Sequence, residues 1–465
     1  MHAGTPTTHD AVVVVPGIMG SELVDAASGR TLWGLADPRW YVSAWTTGES
    51  LRALALTDEE RSGTHTRVRA SRLLRFPAFA PMLAGFAPYT SLVAAVRQTA
   101  AHPAAVLEFP YDWRLPVAHN ARLLAESAAR HLEAWRAHPA HDESRRRARS
   151  DPGPARLVLV AHSMGGLLAR HACRGPEFAA LVRGVVTLGT PFYGAPKAVL
   201  LLASGDGSPV KLPRKRVREL ASGLPGVYGL LPSYRCVRDG EDARGITTGD
   251  VASLGGDAEL ADAAYAERDL VRDTPLPGHL QVVGAHQPTV QAVELDSGAA
   301  APLTVTLRPD GRHVDLGGDG TVPRESAQLP QHPAMPFAQS HGAVASHADA
   351  ILVVQDMLTD TRTGPWQGSG DLGLGIPDTA VAGEPVQAVV VGAEKAADVS
   401  CAVVDIGSRM RVATPQAVAR DGTHIAEIPG LPAGLYTVQI QGGGAAPVRQ
   451  TLMVVPASAT EPDRR

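Results

Sequence analysis

The stretch Leu157-Val158-Leu159-Val160-Ala161-His162-Ser163-Met164-Gly165-Gly166-Leu167-Leu168 constrains the fold more than any other part of the chain. Four consecutive apolar residues read as a strand covered on both faces, and the residues after them read as a tight turn into a helix. A serine at such an elbow lifts its hydroxyl above the strand end. The turn crowds backbone segments together, so only small residues fit two places before and two places after it. Ala161 and Gly165 occupy those places. Taken without its surroundings, a Ser-x-Gly turn is also an ordinary helix N-cap. The strand run before it and the Gly165-Gly166 pair after it favour a nucleophile at Ser163.

The same strand texture recurs at Ala11 to Val15, Ala105 to Phe109, Gly184 to Leu188 and His279 to Val283. Helix-like segments lie between, at Ser91 to Thr99, Asn120 to Ala137 and Met164 to Cys173. This alternation predicts an α/β fold with an open, mostly parallel sheet. Two stretches break the rhythm, near residues 33–89 and 204–274. The first carries Phe76, Phe79 and Phe86; the second is rich in Gly, Pro and Arg. Long insertions of this kind usually form a cap or lid over a site, the plainer alternative being surface loops.

After Gly364 the texture changes to short runs bounded by Gly, Pro and Asp: Val386 to Val391, Cys401 to Ile406, Thr423 to Ile428, Leu435 to Gln441 and Arg449 to Val455. A length of 465 residues favours two domains. The reading is a catalytic unit over residues 1–364 with cap insertions, followed over 365–465 by a small all-β sandwich resembling immunoglobulin or fibronectin type III modules. Every proposed catalytic group precedes the boundary, so the first unit is expected to work without the second.

Composition excludes more than it identifies. A formal net charge of −4 gives no pull toward nucleic acid, and Arg145 to Arg149 reads as a solvated loop. Cys173, Cys236 and Cys401 lack metal-ligand or disulfide-framework spacing and are expected to be buried thiols. Neither a metal nor an organic cofactor is called for. The polar start and the absence of a long apolar run predict neither a signal peptide nor a membrane span, hence a cytoplasmic protein.

Serine is a poor nucleophile at neutral pH and needs a base, which in turn needs an orienting carboxylate. In this kind of strand-turn-helix enzyme, acid and histidine come after the serine in that order. Val314-Asp315-Leu316-Gly317-Gly318-Asp319-Gly320 ends a strand-like run in a Gly-Asp-Gly turn, where a carboxylate is held rigidly. Asp319 is the acid on this reading. Its bland alternative is an Asx-turn residue, and Asp315 is the nearest competitor.

Six blocks now stand in a meaningful order: Val15-Pro16-Gly17-Ile18-Met19-Gly20-Ser21-Glu22-Leu23, Pro110-Tyr111-Asp112-Trp113-Arg114, Ala161 to Gly165, Leu188 to Gly194, Leu202 to Asp206 and Gly318 to Val322. Over roughly residues 11 to 358 the chain resembles the lecithin:cholesterol acyltransferase family, α/β-hydrolases that include phospholipid:diacylglycerol acyltransferases and lysosomal phospholipase relatives. The resemblance implies an acyl-serine intermediate, its acyl group passed to an alcohol or to water. It also implies an oxyanion hole from the backbone N–H groups of Met19 and Met164. Asp112 and Arg114 are expected to form a structural ion pair. The lid disulfide of secreted animal members has no counterpart here, and those members lack the β-module.

Two histidines compete for the base, His341 and His347. His347 opens a helix-compatible stretch through Ile351, Leu352 and Val354, fits the family pattern of a histidine before a short helix, and is the one expected. His341, before Gly342, reads as a surface or supporting residue. The function expected is hydrolysis or transfer of acyl esters, lipids above all, by Ser163, Asp319 and His347. The alternative is an idle scaffold presenting the β-sandwich. Cap aromatics from Phe76 to Tyr89 and the basic run Arg214 to Arg218 suit a peripheral contact with an anionic membrane. The β-module leaves room for a protein partner that the sequence does not identify.

Overall fold

Alternate residues of the apolar runs bury on opposite sides, as a sheet covered twice requires. On β1 (Ala11–Val15), Ala11, Val13 and Val15 join one apolar cluster, and Val12 and Val14 join another. On β3 (Leu157–His162), Leu157, Leu159 and Ala161 face the first and Val158 and Val160 the second. With β2 (Val106–Glu108), β4 (Val182–Leu188), β5 (Leu280–Gly284) and β6 (Ala334–Phe337), these strands form a six-stranded sheet in the order β6-β5-β4-β3-β1-β2. All its pairings are parallel.

In this computed structural model the described residues are 7–34, 38–62, 66–74, 88–147, 153–207, 212–308, 313–332, 334–360, 372–377, 379–393, 395–420, 423–442 and 447–456. Phe76, Phe79, Phe86 and the boundary placed at residues 364/365 lie outside them.

One sheet face is covered by the helix Val117–Arg136 through Leu124, Ala128, Leu132 and Trp135, and by α1 (Met164–Ala172). The other is covered by Pro88–Thr99 through Leu92, Val93 and Val96, and by α3 (Ala348–Thr359) through Val353, Val354 and Leu358. The two irregular stretches contain short helices, Glu49–Arg52 and Asp58–Ser62 in the first, Arg214–Ala221 and Pro225–Tyr228 in the second. They pack on each other: Arg216 donates to the carbonyls of Ala44 and Thr46. Arg218 donates to those of Leu202 and Leu254, and Arg214 lies 3.3 Å from Asp206. The basic run expected to meet lipid therefore largely ties the cap together. Arg145 to Arg147, read as a loop, end the helix Pro139–Arg147.

Asp112 and Arg114 form the structural pair expected, and more. The Arg114 guanidinium, 1% exposed, meets Asp112 at 2.8 Å and Glu60 at 2.9 Å and donates to the Leu54 carbonyl. Asp112 and Arg114 thus fasten the cap insertion to the sheet.

The C-terminal residues build two sheets over a shared core. One contains Gly373–Gly375, Val386–Val391, Thr423–Ile428 and Ala417–Arg420. The other contains Thr379–Val381, Arg411–Ala413 and the central strands β7 (Val399–Asp405), β8 (Gly434–Gly442) and β9 (Val448–Val455). Ala388, Val390, Ala426 and Ile428 from the first meet Val403, Val438, Ile440 and Leu452 from the second. This sandwich is packed against the α/β part: Ile406 and Leu435 belong to the main apolar cluster, and Ala338 belongs to that of the sandwich. Cys173, Cys236 and Cys401 are buried free thiols. Among the described residues no helix is long and apolar enough to cross a membrane.

Candidate active site

Ser163 sits between β3 and α1 with φ 52° and ψ −127°, a conformation an L-residue adopts only under constraint. The constraint is local crowding. A Cβ on Gly165 would lie 2.5 Å from the Pro16 carbonyl oxygen and 2.7 Å from that of Val15, so the helix leaves the elbow pressed against the end of β1. Ser163 N–H donates to Leu188 O at 2.9 Å, continuing the ladder between β3 and β4 to the elbow itself. Gly17, from the Pro-Gly-x-x-Gly loop after β1, comes equally close: a Cβ there would stand 2.8 Å from Ser163 Cβ.

The histidine at Ser163 is His341. Its Nε2 lies 2.9 Å from Ser163 Oγ and its Nδ1 2.7 Å from Asp319 Oδ2. Asp319 is 1% exposed, and its other oxygen accepts from the backbone N–H groups of Thr321 and Val322 at 2.9 and 2.7 Å. A carboxylate so satisfied takes the proton-bearing Nδ1 of His341, leaving the Nε2 lone pair for the serine hydroxyl. The competitor Asp315 is exposed and accepts instead from Gln291 and Gly317.

His347, the base expected from sequence, is not in this chain of hydrogen bonds. It is the residue before α3, 3.9 Å from Asp349, with no hydrogen-bond partner on Nδ1. Burial lowers its basicity; Asp349 opposes this and Arg449 adds to it. The correction has a plain cause. His341 opens a short helix of its own, α2 (His341–Val344), which Gly342 disguises, so the right kind of junction occurs twice. Tertiary bonds choose between them: His341 N–H donates to Asp319 O at 2.7 Å.

His162, beside the nucleophile, reads in the sequence as no more than the variable residue of the elbow. In the fold it is 5% exposed and bonded at both ring nitrogens, Nδ1 to Tyr89 Oη at 2.9 Å and Nε2 to the His341 carbonyl at 3.0 Å. Tyr89 Oη accepts from Gly17 N–H at 2.8 Å and so donates to Nδ1, leaving Nε2–H for the carbonyl. Burial, then the neighbouring His341, push the imidazole's basicity down to about 3, which keeps this neutral tautomer. The only sequence signal was a titratable residue next to Ser163. On the far side, the carbonyls of Pro447, just before strand β9, and of Arg449 within it accept from Gln339 Nε2 and Ser340 Oγ, at 3.1 and 3.4 Å.

A cavity of about 930 Å³ opens over Ser163. Leu51, Leu54, Val217, Leu220 and Leu224 line it from the cap, and Ile18 and Met19 from the loop after β1. Met19, one of the two residues expected to supply an oxyanion amide, has φ 60° and its carbonyl accepts from Trp33 Nε1. Met164, the other, is the first residue of α1, where backbone N–H groups are unspent. Among the described residues no group of three or more His, Cys, Asp or Glu is arranged as a metal site.

Comparison with known proteins gives one family match and several distant structural likenesses. No curated protein matches the chain. Among solved structures, the mature lipase BlEst2 of Bacillus licheniformis is 15% identical with a TM-score of 0.33, covering 77% of this chain and 95% of its own. The metagenomic carboxyl esterase MGS0156 is 13% identical with a TM-score of 0.30, covering 77% and 80%. Phospholipase PlaB of Legionella pneumophila is 9% identical with a TM-score of 0.30, covering 96% and 93%. Resemblances this distant say nothing about the reaction. Residues 80–286, which contain Ser163 and end before Asp319, match the family model of the lecithin:cholesterol acyltransferases.

Proposed function

We propose that the protein hydrolyses or transfers acyl groups of lipid esters through an acyl-serine intermediate, with Ser163 as nucleophile, His341 as general base and acid, and Asp319 as its orienting carboxylate. The continuous hydrogen bonding from Ser163 through His341 to Asp319 carries this reading. Attack by Ser163 Oγ on the ester carbonyl sends its proton to His341 Nε2, and the imidazolium is stabilised by buried Asp319. The carbonyl oxygen, now negative, is met by the N–H groups of Met164 and Met19, a contribution typically of about 3 kcal/mol per donor. His341 then protonates the departing alcohol, and water or a second alcohol, deprotonated by the same imidazole, releases the acyl group.

Lipid as the acyl source is supported by the apolar cap wall and by the family match. A fluorophosphonate probe is expected to label the protein and to fail on Ser163→Ala. Equal labelling of both would remove the serine mechanism. Mass spectrometry of products formed with and without added alcohol then separates hydrolysis from transfer.

A further inference from the structure

The cavity continues past the catalytic relay along one face of the C-terminal sandwich. In β8, side chains alternate, so Tyr436, Val438 and Ile440 enter the sandwich core and Leu435, Thr437 and Gln439 face away from it. The outer face of such a sheet usually meets water. Here it lines the cavity over Ser163, through Ile406, Leu435, Met453, Thr437, Thr451 and Arg449.

These residues stand in rows across β8 and β9, with Ile406 just beyond the end of β7. Leu435 pairs with Met453, and Ile406 N–H bonds to the Leu435 carbonyl, making an apolar row. Thr437 pairs with Thr451, making a hydroxyl row. Arg449 pairs with Gln439 and donates to its side chain at 2.8 Å, making a polar row at the rim. Burial runs in the same order. Ile406 and Leu435 are 8% and 3% exposed and merge with the main apolar cluster, the threonines are half-buried, and Arg449 is exposed. His347 lines this end too, and its buried Nδ1, 3.9 Å from Asp349, has no hydrogen-bond partner. A buried polar atom left without a partner inside a cavity wall is a place for a ligand's hydrogen bond.

We propose that the sandwich is a wall of the substrate site and sorts the two ends of an amphiphilic ester, hydrocarbon lying on Ile406, Leu435 and Met453 and a polar head group on Thr437, Thr451 and Arg449. The inference rests on the acyl-ester reading and narrows it, because a fully apolar ester desolvates the half-buried hydroxyl row without pairing it and leaves the rim guanidinium unused. It also reverses the expectation that residues 1 to about 364 suffice, since removal of the sandwich opens the cavity and frees Gln339 and Ser340, the two residues before the base.

The test uses the full-length protein and two esters sharing one acyl chain, 1-monopalmitoylglycerol and methyl palmitate. The wild type is expected to favour the glyceryl ester. Arg449→Leu and the double variant Thr437→Val/Thr451→Val should each reduce the ratio of the two kcat/KM values about tenfold, mainly through KM, as loss of one or two hydrogen bonds predicts. Ile406→Ser should instead weaken both esters together. Labelling of Ser163 by a small ethyl fluorophosphonate at the wild-type rate shows that each variant is folded with its relay intact. Wild-type ratios in both rim variants, with labelling preserved, overturn the inference. A wild type that neither labels nor cleaves either ester overturns the acyl-ester reading itself, and this one with it.

Discussion

The elbow at Ser163 and the segment at His341 supply the two partners of one hydrogen bond, yet they are held in opposite ways. The elbow is shaped by its own strand, turn and helix, pressed against the end of the adjacent strand β1. His341 is held from far along the chain: its N–H by Asp319, its carbonyl by His162, and the two residues before it by Pro447 and Arg449 at the start of β9. A serine placed locally tolerates distant change, whereas a histidine hung between remote elements registers changes in any of them.

The largest effects should fall on the relay. Ser163→Ala and His341→Ala are each expected to lower kcat by about 10⁴- to 10⁶-fold, because members of such a unit fail together. His347→Ala should cost less than about tenfold, and in KM rather than kcat, since it lines the cavity without joining the relay. Steady-state kinetics on folded variants decides. A His347→Ala loss matching that of Ser163→Ala would return the base to the residue first expected.

The placing of His341 rather than His347 at Ser163 shows how far sequence carries here. Strands β1 to β5, the helices on both faces, the elbow and Asp319 were legible because each is written in a short window: an apolar run, a Gly-Asp-Gly turn, a serine between small residues. Strand β6, Ala334–Phe337, was not, because Pro336 and its edge position give it no continuous apolar run. His341 and His347 present the same local picture, a histidine opening a helix, and only contacts to Asp319, Ser163 and His162 tell them apart. The sandwich was visible as strands, but the use of its outer face was hidden, since rows such as Thr437 and Thr451 read as ordinary solvent positions.

Intermediate effects probe the elbow's nearest neighbours. Gly17→Ala places a methyl group 2.8 Å from Ser163 Cβ and 3.2 Å from His162 Nδ1, so the nucleophile must shift. A displacement of that order typically costs about a hundredfold in rate. The expected result is slower fluorophosphonate labelling with little change in melting temperature; a wild-type labelling rate would show that the loop yields instead. Tyr89→Phe is expected to be milder, about tenfold in kcat, because it leaves Gly17 N–H and His162 Nδ1 unpaired without moving Ser163 directly. If Tyr89→Phe proved as harmful as His341→Ala, the base segment would depend on the bracket more than on Asp319.

The pH dependence of the Tyr89–His162–His341 bonds leaves the reaction aside and is read as stability. His162 has an ordinary histidine basicity near 6.5 when unfolded and is pushed down to about 3 when folded, burial being the main cause and His341 the next. Between those values the unfolded chain binds a proton that the folded chain refuses. Stability from this residue is therefore fully present above about pH 6.5 and is lost as pH falls toward 3, by at most about 1.4 kcal/mol per pH unit. His171 and His279, depressed to about 4 and about 3, add slopes of the same sign, so the wild-type curve alone does not isolate His162. The difference between wild type and His162→Gln does. Because Gln does not titrate, the stability gap between the two proteins, measured by urea unfolding, should be widest near pH 7 and narrow steadily down to pH 4. A gap constant across that range would mean that His162 is accommodated in its charged form, and the neutral bracket joining elbow to base would have to be abandoned.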